Sequence, residues 1–245
     1  ATASEVIQEL ARWYRLDNLF EAYEKSYDEE KMDIGRILAR LGTAPLQRLM
    51  DVLRDHPDSN ERVRIMHVIR EIGPAAIPVI EERSRKDYPW YHHRNLAYLL
   101  RFIKSPATVE ILQRLMRHKH QKVREEALES LYLVGENERG PVLLSLLPTA
   151  DDAFKKSIIE ILGKIRYREA ATVLIELLKD RPLLANSARK DLEEVICIAL
   201  GRIGTPEAAA LLNEISKQKF YHLTSYSEKV RKAAAQALLS IKPLT

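Results

Sequence analysis

The feature that most constrains this chain is an internal repeat of about 31 residues whose apolar residues recur at fixed places. With Gly135 as the reference position of one copy, the equivalent positions in the other copies are Gly42, Gly73, Lys104, Arg166, Gly204 and Lys242. One residue before the reference, all seven copies have Leu, Ile or Val: Leu41, Ile72, Ile103, Val134, Ile165, Ile203 and Ile241. Four residues before it, the same is true of Leu38, Ile69, Leu100, Leu131, Leu162, Leu200 and Leu238. These columns predict that every copy buries the same face of a helix.

Each copy has the pattern of a helical hairpin, and residues 105–135 show it most regularly. The apolar residues that share one side of its first and second helix are Val109, Ile111, Leu112, Leu115 and Met116, and Val123, Ala127, Leu131 and Val134. The basic run 117–120 between them predicts a turn, and Gly135 is expected to adopt the left-handed conformation after the second helix. Neither helix can bury its apolar stripe alone, so the hairpins must stack on their neighbours.

The predicted fold is therefore an all-α solenoid of seven hairpins, which form a single repeat domain over residues 1–245. The predicted repeats are approximately 1–42, 43–73, 74–104, 105–135, 136–166, 167–204 and 205–242. The last two copies are longer because each has about seven extra residues between its two helices. These inserts form a second basic and aromatic segment, which includes Phe220, Tyr221, His222 and Tyr226, and they are interpreted either as binding loops or as longer turns that cover the C-terminal end.

The second helices resemble a known repeat family. The segments that carry the likeness are VREEALESLYLVG (123–135), FKKSIIEILGKIR (154–166), LEEVICIALGRIG (192–204) and VRKAAAQALLSIK (230–242). They are similar to the pattern V-R-x-x-A-x-x-A-L-G-x-I-G of the short HEAT-like repeat of the phycobilisome-lyase class. The resemblance implies a right-handed solenoid with the second helices on its concave side. It leaves function open, because this fold hosts binding scaffolds, chromophore lyases, an iron hydroxylase and a DNA glycosylase.

Polar and aromatic residues recur on the presumed concave face and form a first candidate binding site. The residues proposed for this groove are Arg36, His67, Arg70, Arg94, Tyr98, Arg101, Glu129, Tyr132 and Glu160. Its N-terminal half is basic with tyrosines, and the next two repeats contribute acidic residues. A graded groove of this kind suits an extended peptide or an anionic ligand. The alternative is a solvated face whose charges pair between neighbouring helices.

A second candidate site is the segment RSRKDYPWYHHR (83–94), where the third repeat departs from the common pattern. Its proposed binding residues are Tyr88, Trp90, Tyr91, His92 and His93. Aromatic rings among cations can stack on nucleic-acid bases, hold a phosphate or clamp a peptide. The alternative is that Pro89 and Trp90 form a packed corner.

No constellation of catalytic residues is recognisable, and no cofactor or metal is predicted. A glycine-rich phosphate loop, G-x-S-x-G and H-E-x-x-H are absent from the sequence. The iron hydroxylases of the HEAT group use His-Glu dipeptides, and this chain contains none. A single cysteine, Cys197, excludes a disulfide scaffold and a Cys-based zinc site. The chain is therefore expected not to be an enzyme.

Charge and hydropathy leave two classes of partner open. The formal net charge of +4 arises from 39 basic and 35 acidic residues, which permits a nucleic-acid partner without requiring one. No apolar run reaches the length of a membrane span, so no membrane partner and a cytoplasmic location are expected. The leading hypothesis is a scaffold that binds a protein or peptide in its groove, as a monomer or as a module of a larger chain. The alternatives are a nucleic-acid-binding or DNA-repair protein and phycobilin-lyase-like handling of a prosthetic group.

Overall fold

Helices pair into a hairpin in every predicted repeat. The computed structural model describes residue 5 and residues 16–180, 186–218 and 225–241. The first four pairs are α1 (Leu16–Lys25) with α2 (Asp28–Arg40), α3 (Leu46–Asp55) with α4 (Ser59–Ile72), α5 (Ile77–Ser84) with α6 (Trp90–Leu100), and α7 (Pro106–Leu115) with α8 (Gln121–Val134). The other three are α9 (Arg139–Leu146) with α10 (Asp152–Lys164), α11 (Ala170–Lys179) with α12 (Ser187–Ile203), and α13 (Pro206–Lys217) with α14 (Glu228–Ser240).

Every regular element in these described ranges is helical, which confirms the predicted all-α fold class. Two short 3-10 helices, Gly73–Ala76 and Leu147–Thr149, adjoin α5 and α9. None of the helices in the described ranges is long and apolar enough to cross a membrane.

The chain divides into two compact units, residues 1–135 and 136–245, which we call unit 1 and unit 2. The division falls at the boundary between the fourth and fifth predicted repeats. Unit 1 contains α1 to α8, and unit 2 contains α9 to α14. A single domain over 1–245 and the right-handed sense of the solenoid stay predictions.

Stacking of the second helices on one another builds the core of each unit. In unit 1, α2 packs on α4, α4 on α6 and α6 on α8, and in unit 2, α10 packs on α12 and α12 on α14. The residues four positions before the reference are fully buried in six copies: Leu38, Ile69, Leu100, Leu131, Leu162 and Leu200. Leu238, in the last copy, is partly exposed. The apolar column that recurs among the copies therefore marks the side of each second helix that faces the core.

Several helix starts and ends follow the local sequence. Asp58, Asp151, Asn186 and Thr205 each accept a backbone N–H of the helix that follows, as N-cap residues do. Gly42, Gly73 and Gly204 have φ near +70° (67°, 70° and 72°) at reference positions. The expectation for Gly135 is wrong: its φ is −75°, and the following residue, Glu136, adopts the positive φ of 40°.

Two glycines in unit 2 allow second helices to approach closely. A Cβ placed on Gly201 of α12 would lie 2.6 Å from the Cβ of Ala237 and 2.8 Å from its carbonyl oxygen. A Cβ on Gly163 of α10 would lie 2.8 Å from the Cα of Ala199. Because the obstructing atoms include backbone, the helices themselves must move to admit a side chain.

We expect Gly201→Ala to lower the free energy of unfolding by about 1–3 kcal/mol, since the overpacked contact outweighs the helix propensity gained. The measurement is urea denaturation followed by circular dichroism. Gly35→Ala is the matched control, because a Cβ there meets side chains and no backbone: Val68 at 3.0 Å and Tyr23 at 3.8 Å. A Gly201→Ala variant at least as stable as the native chain would contradict this account of the packing.

Candidate functional site

One side of the second helices in unit 1 faces away from the core and carries most of the predicted groove residues. We call it the second-helix face and define it by Met32, Arg36, Val63, His67, Arg70, Arg94, Tyr98 and Phe102. These residues lie ten, six, three or two positions before the reference, which places them on one side of a helix, with Phe102 in the turn directly after α6. Tyr98 is partly exposed and the other seven are exposed.

A pocket of about 250 Å³ lies between α4 and α6 on this face, and we call it the α4–α6 pocket. It brings together four of the predicted groove residues: His67, Arg70, Arg94 and Tyr98. Its apolar lining comes from Val63, Met66, Leu99 and Phe102. The pocket therefore combines an apolar surface with positively charged side chains.

A second pocket, of about 290 Å³, lies between α2 and α4 and shares His67 with the first. We call it the α2–α4 pocket. Arg36, the remaining predicted residue of this region, lines it with Met32, Arg64 and Glu71. Because His67 belongs to both pockets, they adjoin and extend across three consecutive second helices.

Aromatic side chains at the α4–α6 pocket contact two arginines, Arg70 in its lining and Arg101 beside it. The guanidinium carbon of Arg70 lies 4.3 Å from the centre of the Phe102 ring, and that of Arg101 lies 4.7 Å from the centre of the Tyr98 ring. The two rings meet edge to face, with their centres 5.2 Å apart. These contacts hold each guanidinium against an aromatic ring and restrict its motion.

Arg101 and Glu129 take part in ion pairs between α6 and α8, as the alternative interpretation of the groove proposed. Arg101 donates to the buried carboxylate of Glu126 and lies 3.7 Å from a carboxylate oxygen of Glu129. Arg94 also reaches Glu126, at 3.1 Å. Arg101 and Glu129 are thus occupied within the protein, whereas the Arg94 side chain remains 47% exposed and available to a ligand.

The two remaining groove residues lie outside these pockets. Tyr132 is partly exposed on α8 of unit 1, and Glu160 is exposed on α10 of unit 2. The structure therefore assembles Arg36, His67, Arg70, Arg94 and Tyr98 into adjoining pockets and does not bring Glu160 into them.

The aromatic and basic segment around residue 90 forms contacts within the protein. Trp90 stacks on the His120 ring with the ring centres 4.2 Å apart and the planes 4° from parallel. Tyr88 accepts a hydrogen bond from the buried Arg83 at 3.1 Å, and the Arg54 guanidinium lies 4.8 Å from the centre of its ring. These contacts support the packed corner that was the alternative interpretation of this segment.

The other three residues of that segment differ in exposure. Tyr91 is partly exposed, with the Arg62 guanidinium 5.7 Å from its ring centre. His92 is fully buried and His93 nearly so, and a ligand at the protein surface does not reach them. Tyr91 is therefore the most accessible of the three.

Burial changes the ionisation of these histidines. Removal from water lowers the pKa of His92 from its ordinary 6.5 to about 4. The positive charges of His93, Arg83 and Arg54 lower this pKa further by smaller amounts, and Asp55 has a small opposing effect. Burial also lowers the pKa of His93 and of His118. Neither ring nitrogen of His92 has a hydrogen-bond partner in the described part of the chain. His92 is thus a neutral core residue near pH 7.

The aromatic insert of the last repeat lies mostly outside the described residues, which omit 219–224. Tyr226 is buried, and its hydroxyl donates a hydrogen bond of 2.9 Å to the backbone oxygen of Leu178. This residue supports the longer-turn interpretation rather than the binding-loop one.

Apolar residues of the face were missed from sequence, although a signal for them existed. Met32 and Val63 lie ten positions before the reference, and Phe102 lies two positions before it. Both columns are on the solvent side, yet these three residues are large and apolar. Met32 is 54% exposed, Val63 46% and Phe102 37%. Exposed apolar residues that repeat on one face are typical of interaction surfaces.

In the described part of the chain, no group of three or more His, Cys, Asp or Glu side chains has an arrangement that could hold a metal ion. Cys197 is buried, and burial raises its pKa to about 12, so its thiol is a poor nucleophile.

Comparison with known families agrees with the repeat structure. A family model of HEAT repeats matches residues 46–131 and 77–157, and a model of the PBS lyase HEAT-like repeat matches residues 155–180. Residues 46–180 therefore consist of HEAT-type repeats, which confirms the resemblance found in the sequence and the solenoid fold class. Proteins of this fold commonly act as interaction scaffolds.

Two solved structures of low sequence identity are similar to the chain. Human deoxyhypusine hydroxylase in complex with glycerol is 16% identical, with coverage of 97% of this chain and 96% of that one and a TM-score of 0.44. A designed armadillo repeat protein is 16% identical, with coverage of 93% and 100% and a TM-score of 0.35. A search of curated proteins found no match.

We expect Arg101→Ala to lower the free energy of unfolding by about 2 kcal/mol, because it removes a charged partner from the buried Glu126 carboxylate. Urea denaturation measures this loss. The matched control is the double variant Arg101→Met with Glu126→Met, which removes both charges and is expected to regain most of the stability. Equal stability of Arg101→Ala and the native chain would show that the pair has no structural role.

We expect stability to fall as the pH decreases from about 6.5 to about 4, because the unfolded chain binds a proton at His92 that the folded chain excludes. By about pH 5 the loss due to His92 is about 2 kcal/mol. His92→Leu removes this contribution without leaving a buried polar atom, and its urea midpoint is expected to depend less on pH. Identical pH profiles for the variant and the native chain would contradict this assignment.

Proposed function

We propose that this chain is a non-catalytic scaffold that binds an extended segment of a partner protein along the second-helix face. The observation that carries the proposal is the pair of adjoining pockets, which cross α2, α4 and α6 and share His67. Each pocket spans two neighbouring helices, and a segment crossing the helices passes from one pocket into the next. The scaffold acts in the cytoplasm, as a monomer or as one module of a longer chain.

Exposed apolar side chains give this face the capacity to bind. Val63 and Phe102 border the α4–α6 pocket, and Met32 borders the α2–α4 pocket. Their burial under a partner contributes about 25 cal/mol per Å² of apolar area removed from water. The surrounding arginines set the orientation and selectivity of the partner.

The contacts of the aromatic segment favour a protein partner over a nucleic acid. Base stacking requires exposed ring faces, but Trp90 is already stacked on His120, and the Tyr88 ring has the Arg54 guanidinium over it. No contact among the described residues favours lyase-like handling of a prosthetic group over binding of a protein or of a nucleic acid.

The proposal predicts that Val63→Ser combined with Phe102→Ala weakens binding of peptide ligands at least tenfold, because both exposed apolar contacts are lost. The ligands are peptides recovered from a displayed random library by selection on the full chain, and their affinity is measured by fluorescence anisotropy.

Leu239→Ala is the matched control, since Leu239 is an exposed apolar residue of unit 2, 88% exposed. Circular dichroism of each variant checks that it is folded. Peptides that bind the double variant as tightly as the native chain, or a selection that recovers no binder, would refute a binding role for this face.

A further inference from the structure

We propose that the partner segment is acidic, with an aromatic or aliphatic side chain that enters the α4–α6 pocket and carboxylates beside it that pair with Arg70 and Arg94. This inference rests on the proposed function and names the chemistry of its partner.

The charge of the α4–α6 pocket is the first argument. Its lining includes Arg70, Arg94 and His67 and no acidic residue. No carboxylate in the described part of the chain pairs with Arg70, whose guanidinium contacts the Phe102 ring instead. An arginine at the edge of an apolar pocket without an anionic partner is a binding element for an incoming carboxylate.

The contacts of Arg70 are the second argument. Its guanidinium lies against the Phe102 ring, with the central carbon 4.3 Å from the ring centre, and among the described residues no group accepts a hydrogen bond from it. Its N–H groups are therefore available to a ligand at the edge of the pocket. A carboxylate on the peptide beside the anchor residue meets these donors, while the anchor side chain itself contacts apolar surface.

Arg94 is the second cation of the pocket, and part of its side chain is accessible to a ligand. It shares the carboxylate of Glu126 with Arg101, so two guanidinium groups approach one buried acidic group. Its side chain is 47% exposed, which leaves donors for a ligand. With Arg70, it places positive charge on two neighbouring helices that border the same pocket.

The apolar lining distinguishes this partner from a phosphate or a nucleic acid. A phosphate site requires several donors that converge on one point, whereas Arg70 lies against the Phe102 ring and Arg94 is held by Glu126. A pocket of about 250 Å³ fits one large apolar side chain. Carboxylates that alternate with apolar residues match this arrangement, because each cation meets its own partner.

Unit 2 provides an internal comparison. A pocket of about 550 Å³ lies between α12 and α14, at the equivalent place on its second helices. There Lys229 is already paired with Asp191 at 2.9 Å and with Glu194 at 2.7 Å. Lys232 is paired with Glu228 as well, and the lining of that pocket includes the acidic Glu194 beside Arg202, whereas the α4–α6 pocket has no acidic lining residue. The preference for an acidic segment therefore belongs to unit 1.

The experiment selects peptides from a displayed random library on the full chain and sequences them. We expect the recovered peptides to be enriched in Asp and Glu next to Phe, Trp, Leu or Ile, relative to the unselected library. A recovered peptide is then compared with its Asn and Gln counterpart by fluorescence anisotropy. The acidic form is expected to bind at least tenfold more tightly, and raising the salt concentration is expected to weaken it.

Arg70→Glu is expected to reduce affinity for the acidic peptide about tenfold or more, because attraction becomes repulsion. Arg117→Glu is the matched control: it makes the same charge change at an exposed residue that lines neither pocket, and affinity is expected to stay within about twofold. A single-stranded oligodeoxynucleotide serves as a polyanionic competitor. If it binds through Arg70 more tightly than the selected peptides, the partner is a nucleic acid and the inference is overturned.

The outcomes separate this inference from the proposed function. Peptides that lack acidic residues and are insensitive to Arg70→Glu, but are lost with Val63→Ser and Phe102→Ala, leave the scaffold function intact and overturn the acidic partner. A selection without binders to this face overturns both.

Discussion

The structure depends on one constraint, that a two-helix hairpin of this kind buries its apolar stripe only against its neighbours. Ile69, Leu100 and Leu131, which share one column, are fully buried because each second helix packs on the next. Where second helices of unit 2 approach closely, at Gly201 and Gly163, even one methyl group has no room. Stability is therefore a property of the stack, and a single repeat has little of its own.

The same constraint determines where binding chemistry occurs. A second helix uses one side for the stack, so its opposite side is free to vary without loss of the core. In unit 1 that side carries Arg70 and Phe102 in contact with each other, whereas in unit 2 the equivalent surface includes an acidic residue, Glu194, which pairs with Lys229. Two surfaces with one backbone pattern thus differ in what they are suited to bind.

The departure of the third repeat from the common pattern has a structural explanation. Arg83 is buried and donates hydrogen bonds to Asp51 and to the side chain of Gln47 on the preceding repeat. Trp90 stacks on His120 of the following repeat, and His92 fills the core as a neutral imidazole. This segment joins three consecutive repeats, so a local break in the sequence pattern marks packing between repeats as well as possible sites of function.

The sequence alone determined the repeat, the pairing of helices and the core columns, because these follow from apolar periodicity within each copy. It also indicated Arg36, His67, Arg70, Arg94 and Tyr98, since residues in one column share one side of a helix. Only the tertiary structure decided that Arg101 is paired with Glu126, that His93 is buried and that Arg70 lies over Phe102. These facts depend on contacts between different helices, and the spacing along the chain does not specify side-chain partners across a helix interface.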